Sequence, residues 1–206
     1  MDVAHPYRAV CPTVDGDVLQ VLAATTMSLT GRQVAALTGR RSHSGVLAAL
    51  SRLTEHGLVE RVELNKASLF SLNREHLAYP AVIALTGIRL VLLGRLKQEL
   101  ATWSIAPLHA SLFGSTARGD GDTSSDIDLL VIRPTAATAE DAGWREQIAT
   151  LEEKVSQWTG NRAAVVEISE DEVPRLVADD RPILAALRAD AIVLAGVPVA
   201  TLLDEA

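Results

Sequence analysis

The chain has 206 residues, 48% of them hydrophobic, enough for one large or two small domains with a substantial core. Its single cysteine, Cys11, excludes an intrachain disulfide and a disulfide-stapled scaffold, so the cytoplasm is the expected compartment. A net charge of −7 and a pI near 5.2 argue against a protein that coats nucleic acid, while leaving room for a local reading surface. Residues 1–80 carry eight Lys/Arg and seven Asp/Glu, and residues 81–206 carry eleven and nineteen, so the two parts have different electrostatic tasks.

Residues 1–14 read as an N-terminal arm, and Cys11 there as a passive thiol. From Asp15 the pattern is helical: Val18, Leu19, Val21 and Leu22 are spaced for one face of a helix over 17–24. Thr30 is a suitable N-cap for a second helix over 31–37, ended by Gly39. Ser42 or Ser44 caps a third, which runs through Val46, Leu47, Leu50 and Leu53 to His56 and stops at Gly57. Two strand-like runs, 58–64 and 68–72, joined by Asn65-Lys66-Ala67, predict a β-hairpin.

This order over 15–78 resembles a winged helix-turn-helix domain, with 42–59 similar to the recognition helix and wing of bacterial regulators. The resemblance implies double-stranded DNA as a partner. The third helix would enter the major groove by its N-terminal end, presenting Arg40, Arg41, Ser42, His43 and Ser44, with Arg52 and the wing residue Lys66 on the backbone. The module is only slightly basic, so a single copy is expected to bind weakly.

Residues 79–104 are expected to link the modules as one long helix, with Pro80 at its start and Val82, Leu85, Arg89, Leu92, Leu96 and Leu100 near a 3.6-residue period. Val91, Leu92 and Leu93 make it apolar over much of its circumference, which predicts burial by the following domain or by a second copy in a homodimer. Arg89, Arg95 and Lys97 interrupt this stretch, and no membrane span or leader is expected.

The most informative segment lies further on. Leu112-Phe113-Gly114-Ser115-Thr116-Ala117-Arg118-Gly119 is followed by Ser124-Ser125-Asp126-Ile127-Asp128-Leu129-Leu130-Val131. Strand alternation sends Asp126 and Asp128 the same way. Carboxylates roughly 6–7 Å apart along a strand repel unless a cation lies between them, and oxygen donors suit Mg²⁺ or Mn²⁺. Gly114 permits a tight turn and close approach of a ligand, and a short helix from Ser115 offers N–H groups to an anion. Ser115, Ser125 and Arg118 then become phosphate-binding candidates. Asp120 and Asp122 read as turn residues, and His5, His56, His76 and His109 show no metal-ligand spacing.

These residues, from Gly114 to Gly119 and from Ser125 to Leu129, resemble the signature of the minimal nucleotidyltransferases of the DNA polymerase beta superfamily. The resemblance implies an α+β fold over 105–206, a mixed β-sheet flanked by helices. It also implies a third acidic residue on a later strand, which makes Glu167 of the run 163–168 a candidate to bind metal or take a proton. Two metal-bound carboxylates and Glu167 would then serve transfer of a nucleoside monophosphate from an NTP to a hydroxyl. Relatives modify small molecules, RNA ends or proteins, partner toxins included. The alternative is a transcriptional regulator, possibly antitoxin-like, whose transferase domain senses nucleotide or is weakly active. After the motif, helices over 139–159 and 174–189 and a strand over 191–194 are expected, with 134–142 as a flexible loop.

Overall fold

The structure, a computed structural model, describes residues 1–39, 41–65, 67–179 and 182–204, with the side chains of Pro182, Val199 and Asp204 outside the description. The chain forms two compact units, one of residues 6–89 and one of residues 1–5 with 90–206.

The first unit opens with a 3₁₀ turn, Pro6–Ala9, followed by α1 (Val14–Ala23), β1 (Leu29–Thr30), α2 (Gly31–Leu37), α3 (His43–Glu55), β2 (Val59–Leu64), β3 (Ala67–Leu72) and α4 (Tyr79–Thr86). Local chemistry sets these boundaries. Thr30 and Gln33 form a reciprocal capping box at α2, and the Ser42 hydroxyl accepts from the Gly45 N–H at α3. Gly39 and Gly57 follow the second and third helices at positive φ, which ends each without a Cβ penalty. The sheet runs in the order β1-β3-β2 and is antiparallel throughout, and β1 is a pairing absent from the sequence reading. Val18, Leu22, Val34, Val46, Leu50, Leu53, Phe70 and Leu72 make the core.

A charged cluster lies beneath this core. Asp17, 2% exposed, accepts hydrogen bonds from the Tyr7 hydroxyl, from Arg8 Nε (3.0 Å) and its terminal nitrogen (2.8 Å), and from Arg41 Nε. Burial alone would raise the Asp17 carboxyl, but the bonds from Tyr7, Arg8 and Arg41 outweigh it and hold the group below the ordinary carboxylate range.

The second unit contains α5 (Ile88–Ala101, from Leu90), β4 (His109–Leu112), α6 (Gly114–Arg118), β5 (Ile127–Arg133), α7 (Ala142–Thr159), β6 (Ala163–Ser169), a 3₁₀ turn (Glu170–Glu172), α8 (Val173–Ala178), α9 (Pro182–Asp190), β7 (Ile192–Gly196) and α10 (Val199–Asp204). The sheet order is β6-β5-β4-β7; β5 and β6 are parallel and the other pairs antiparallel, so the α+β fold has the expected mixed sheet. Both faces are covered. Ile127, Leu129 and Val131 pack with α5 and α7, while Leu130 and Ile132 pack with Phe113, Val173, Leu176, Leu184 and Leu187. That explains why β5 is an almost unbroken apolar run.

Several expectations change here. The single helix expected over 79–103 is two, because the run breaks at Gly87, and the linker is divided between the units. The helix expected over 174–189 is likewise two, α8 and α9. The expected flexible loop 134–142 is tied down: Arg133 donates to the Ala137 carbonyl at 2.6 Å, and the Thr135 hydroxyl and N–H both donate to Glu170. The N-terminal arm does not hang free either. Val3 is buried in the second unit's core, and the Ala4 N–H donates to the Gly121 carbonyl at 3.1 Å. Among the described residues no single helix is long and apolar enough to cross a membrane.

Replacing Asp17 with Ala is expected to destabilise the first unit by about 3 kcal/mol, the lower end for breaking a buried ion pair, because Arg8 and Arg41 keep partial access to water. Urea unfolding of the full chain measures it. Since the Asp17 carboxyl is depressed on folding, its contribution is complete above the unfolded pKa of about 4 and is lost as pH falls through the folded value.

Candidate active site

The elements around Gly114 meet at the start of β5. Gly114 has φ +69°, and a Cβ placed there would lie 2.3 Å from Asp128 Oδ2. Any side chain would therefore be strained and would also collide with the carboxylate. The Phe113 N–H donates to the Asp128 carbonyl at 3.0 Å, so backbone pairing fixes this close approach.

Asp126 lies one residue before β5, and its backbone is held from both sides. Its own carbonyl accepts from the Thr116 hydroxyl at 3.3 Å, the Ile127 N–H donates to the Arg162 carbonyl at 2.8 Å, and the Ser125 carbonyl accepts from Asn161 Nδ2 at 2.8 Å. Asn161, 4% exposed, also donates to the Met1 carbonyl and accepts from the Met1 ammonium. The loop before β6 and the N-terminal arm thus clamp the segment that carries Asp126. Asn161 lies outside the motif, and its role is a product of tertiary packing.

The electrostatics of the pair are unbalanced. Burial pushes the Asp128 carboxyl above the usual range, the charge of Asp126 pushes it further, and Arg118 offsets part of the rise. Arg118 is itself engaged: its Nε donates to Asp120 at 3.0 Å and a terminal nitrogen to Asp190 at the end of α9 at 3.2 Å, while its side chain stays 42% exposed. Ser115 sits beside Gly121, and the Ser125 hydroxyl is taken up in a turn with Asp122.

Glu167 is not brought to this pair. In β6 it stands opposite Val131, whereas Asp128 stands opposite Ala164 three residues away, so alternation places Glu167 on the other face of the sheet. There its carboxylate accepts from Arg133 Nε at 3.0 Å and from Trp144 Nε1 at 2.8 Å, which makes it an anchor between β5, β6 and α7. On Asp128's own face β6 offers Ala164, Val166 and Ile168, none of them acidic. Among the described residues no group of three His, Cys, Asp or Glu is placed to hold a metal. His109 is buried and neutral: its Nδ1–H donates to the Val197 carbonyl at 2.6 Å, leaving Nε2 to accept from the Ser111 hydroxyl at 2.9 Å.

In the first unit, three of the expected DNA contacts have intramolecular work. Arg40 and Lys66 lie outside the described residues. Arg41 is bound to Asp17, and Arg52 makes two 2.9 Å bonds to Asp15. Ser42 is occupied as the α3 N-cap, while His43 and Ser44 are exposed at the start of that helix. His43 lines a cleft of about 970 Å³ between α3 and the hairpin, with Leu47, Ser51, Arg32, Arg61 and Phe70.

Because folding raises the Asp128 carboxyl, its charge opposes the folded state as pH rises through the folded value. Asp128→Asn is therefore expected to raise the unfolding midpoint by a few degrees at neutral pH without divalent cation. Added Mg²⁺ or Mn²⁺ should raise the wild-type midpoint and leave the variant's unchanged. Thermal scans with and without the ion check both.

Residues 93–183 match the family model described as Nucleotidyltransferase domain. No curated protein and no solved structure matches the chain. The matched span takes in Gly114, Arg118, both carboxylates and Glu167, and it supports a nucleotidyltransferase domain, of the nucleotidyltransferase superfamily, as the centre of the second unit.

Proposed function

We propose that the second unit binds a nucleoside triphosphate with a divalent cation and transfers its nucleotidyl group to a hydroxyl acceptor. The supporting observation is the Asp126–Asp128 pair beside the glycine turn, where burial and the charge of Asp126 raise the Asp128 carboxyl and Arg118 offsets only part of the rise.

Two carboxylates fit Mg²⁺, which is commonly held by one or two carboxylates together with substrate phosphates and water. When bound, the ion supplies charge stabilisation at the transferred phosphate and lowers the pKa of the attacking hydroxyl. Asp126 and Asp128 would hold that ion, with the phosphates beside the glycine turn. Arg118, exposed and held by two carboxylates, exchanges Asp120 and Asp190 for the triphosphate, a match of guanidinium to phosphate geometry. The acceptor oxygen bonds to the α-phosphorus as the bond to the leaving pyrophosphate breaks. With Glu167 tied to Arg133 and Trp144, the hydroxyl proton passes to solvent.

A second reading, a regulator that senses nucleotide with little or no turnover, is favoured by one observation: Ala164, Val166 and Ile168 occupy Asp128's face where a third acid would stand. The helix and strand order of the first unit supports a winged-helix reading, and the exposed start of α3 with Arg32 and the cleft gives it a face for duplex DNA. In the transferase reading a partner protein, a toxin included, is a candidate acceptor.

Labelled NTPs, Mg²⁺ and cell lysate test the transfer. The wild type should label an acceptor, and Asp126→Ala with Asp128→Ala should lose at least about 100-fold of it, since ligation of the metal is worth several kcal/mol. Equal labelling by both would falsify the transferase reading; nucleotide binding without labelling selects the sensor.

For the first unit, a gel shift on its own upstream DNA at two salt concentrations is expected to show a preference over random duplex. Arg32→Ala should reduce the salt slope by about 1 if the guanidinium meets a phosphate. No preference and no change in slope would remove DNA from the partners.

A further inference from the structure

The hairpin of the first unit carries a feature that the proposed nucleotide chemistry does not use, the outer edge of β2. β2 is the outer strand of its sheet, paired with β3 on one side in an unbroken register from Val59 to Leu64. Among the described residues its other edge meets no strand. It contains no proline, and no bulge interrupts it, so it lacks two common devices that blunt an edge. Val62 and Leu64, 57% and 55% exposed, share a face with Leu69 and Ala67 across the hairpin, an apolar strip turned to solvent. Arg61 and Glu63 lie on the opposite face and bridge at their side chains.

We propose that β2 is a self-complementary docking edge that pairs antiparallel with β2 of a second copy of this chain, with the two-fold axis at Val62. Antiparallel pairing about a two-fold axis normal to the sheet sets like faces together, so the axis passes through a residue. An axis at Arg61 would oppose Arg61 to its own copy, and one at Glu63 would oppose two carboxylates. The axis at Val62 instead sets Val62 against Val62 and each Arg61 against the other copy's Glu63. Glu60 then falls beside Leu64 at the exposed ends, where the carboxylate keeps its water. The two apolar strips become one, and the sheet extends to six strands. Of the axes at 61, 62 and 63, only the one at Val62 avoids a like-charge pair.

Five residue pairs make an interface below the standard size, so the dimer should be weak, with a Kd on the order of tens of micromolar. Sedimentation equilibrium of the full chain up to about 0.5 mM, well above that range, is the test. Arg61→Glu and Glu63→Arg singly should each weaken association about 10-fold, as attraction becomes repulsion at two symmetric pairs. The double exchange keeps the Arg–Glu order within and between copies and should restore it. In a Cys11→Ser background, Val62→Cys should oxidise to a covalent dimer and Glu60→Cys should not, because only the axial residue faces itself. A monomer throughout the range, a dimer indifferent to both charge reversals, or equal crosslinking at 60 and 62 overturns the proposal; circular dichroism of each variant separates these outcomes from a failure to fold.

Discussion

The approach of Asp128 to Gly114 is the constraint on which the chemistry proposed for the second unit depends. The Phe113 N–H pairs with the Asp128 carbonyl, and the carboxylate then occupies the space any Cβ at Gly114 would need. A turn that must have positive φ and an acid that must be half-buried are therefore one feature. The same pairing puts β4 beside β5 and begins the central strand, so sheet formation and site formation are inseparable.

The local rules of the chain were readable in advance. Thr30, Ser42, Gly39 and Gly57 punctuate the first unit through caps and positive φ, properties of single residues that need no distant partner. The apolar run after Asp126 predicts a strand covered on both faces. What escaped depends on register. Glu167 is acidic, follows a strand pattern and sits in the right region, yet a shift of three residues from Ala164 puts it across the sheet against Arg133 and Trp144. Parity between parallel strands is set by the pairing of Ile127 with Ala163, and nothing within either segment announces it. The Asn161 clamp escaped for the same reason, since its partners lie at residues 1 and 125.

Cations in the first unit show how fold stability competes with an interaction surface. Arg41 and Arg52 frame α3 and would be natural phosphate ligands by position, yet Asp17 and Asp15 of α1 hold them. The ion pairs fasten α3 to α1, the geometry that presents His43 and Ser44. In the proposed DNA reading, affinity would rest on the remaining surface, Arg32 and the cleft among it.

Asp17 and Asp128 together show how the same loss of water can end in opposite balances. Both lose water, and in both that loss alone would raise the carboxyl. Around Asp17 the fold supplies Tyr7, Arg8 and Arg41, and the balance falls below the ordinary value: the charge is satisfied and has no further use. Around Asp128 the fold supplies Asp126, a second negative charge, and only the partial relief of an arginine already held by two other carboxylates. Retaining that arrangement costs stability unless something positive arrives from outside. The imbalance at Asp128 is therefore what the proposed cation would relieve, whereas the network at Asp17 is complete within the fold.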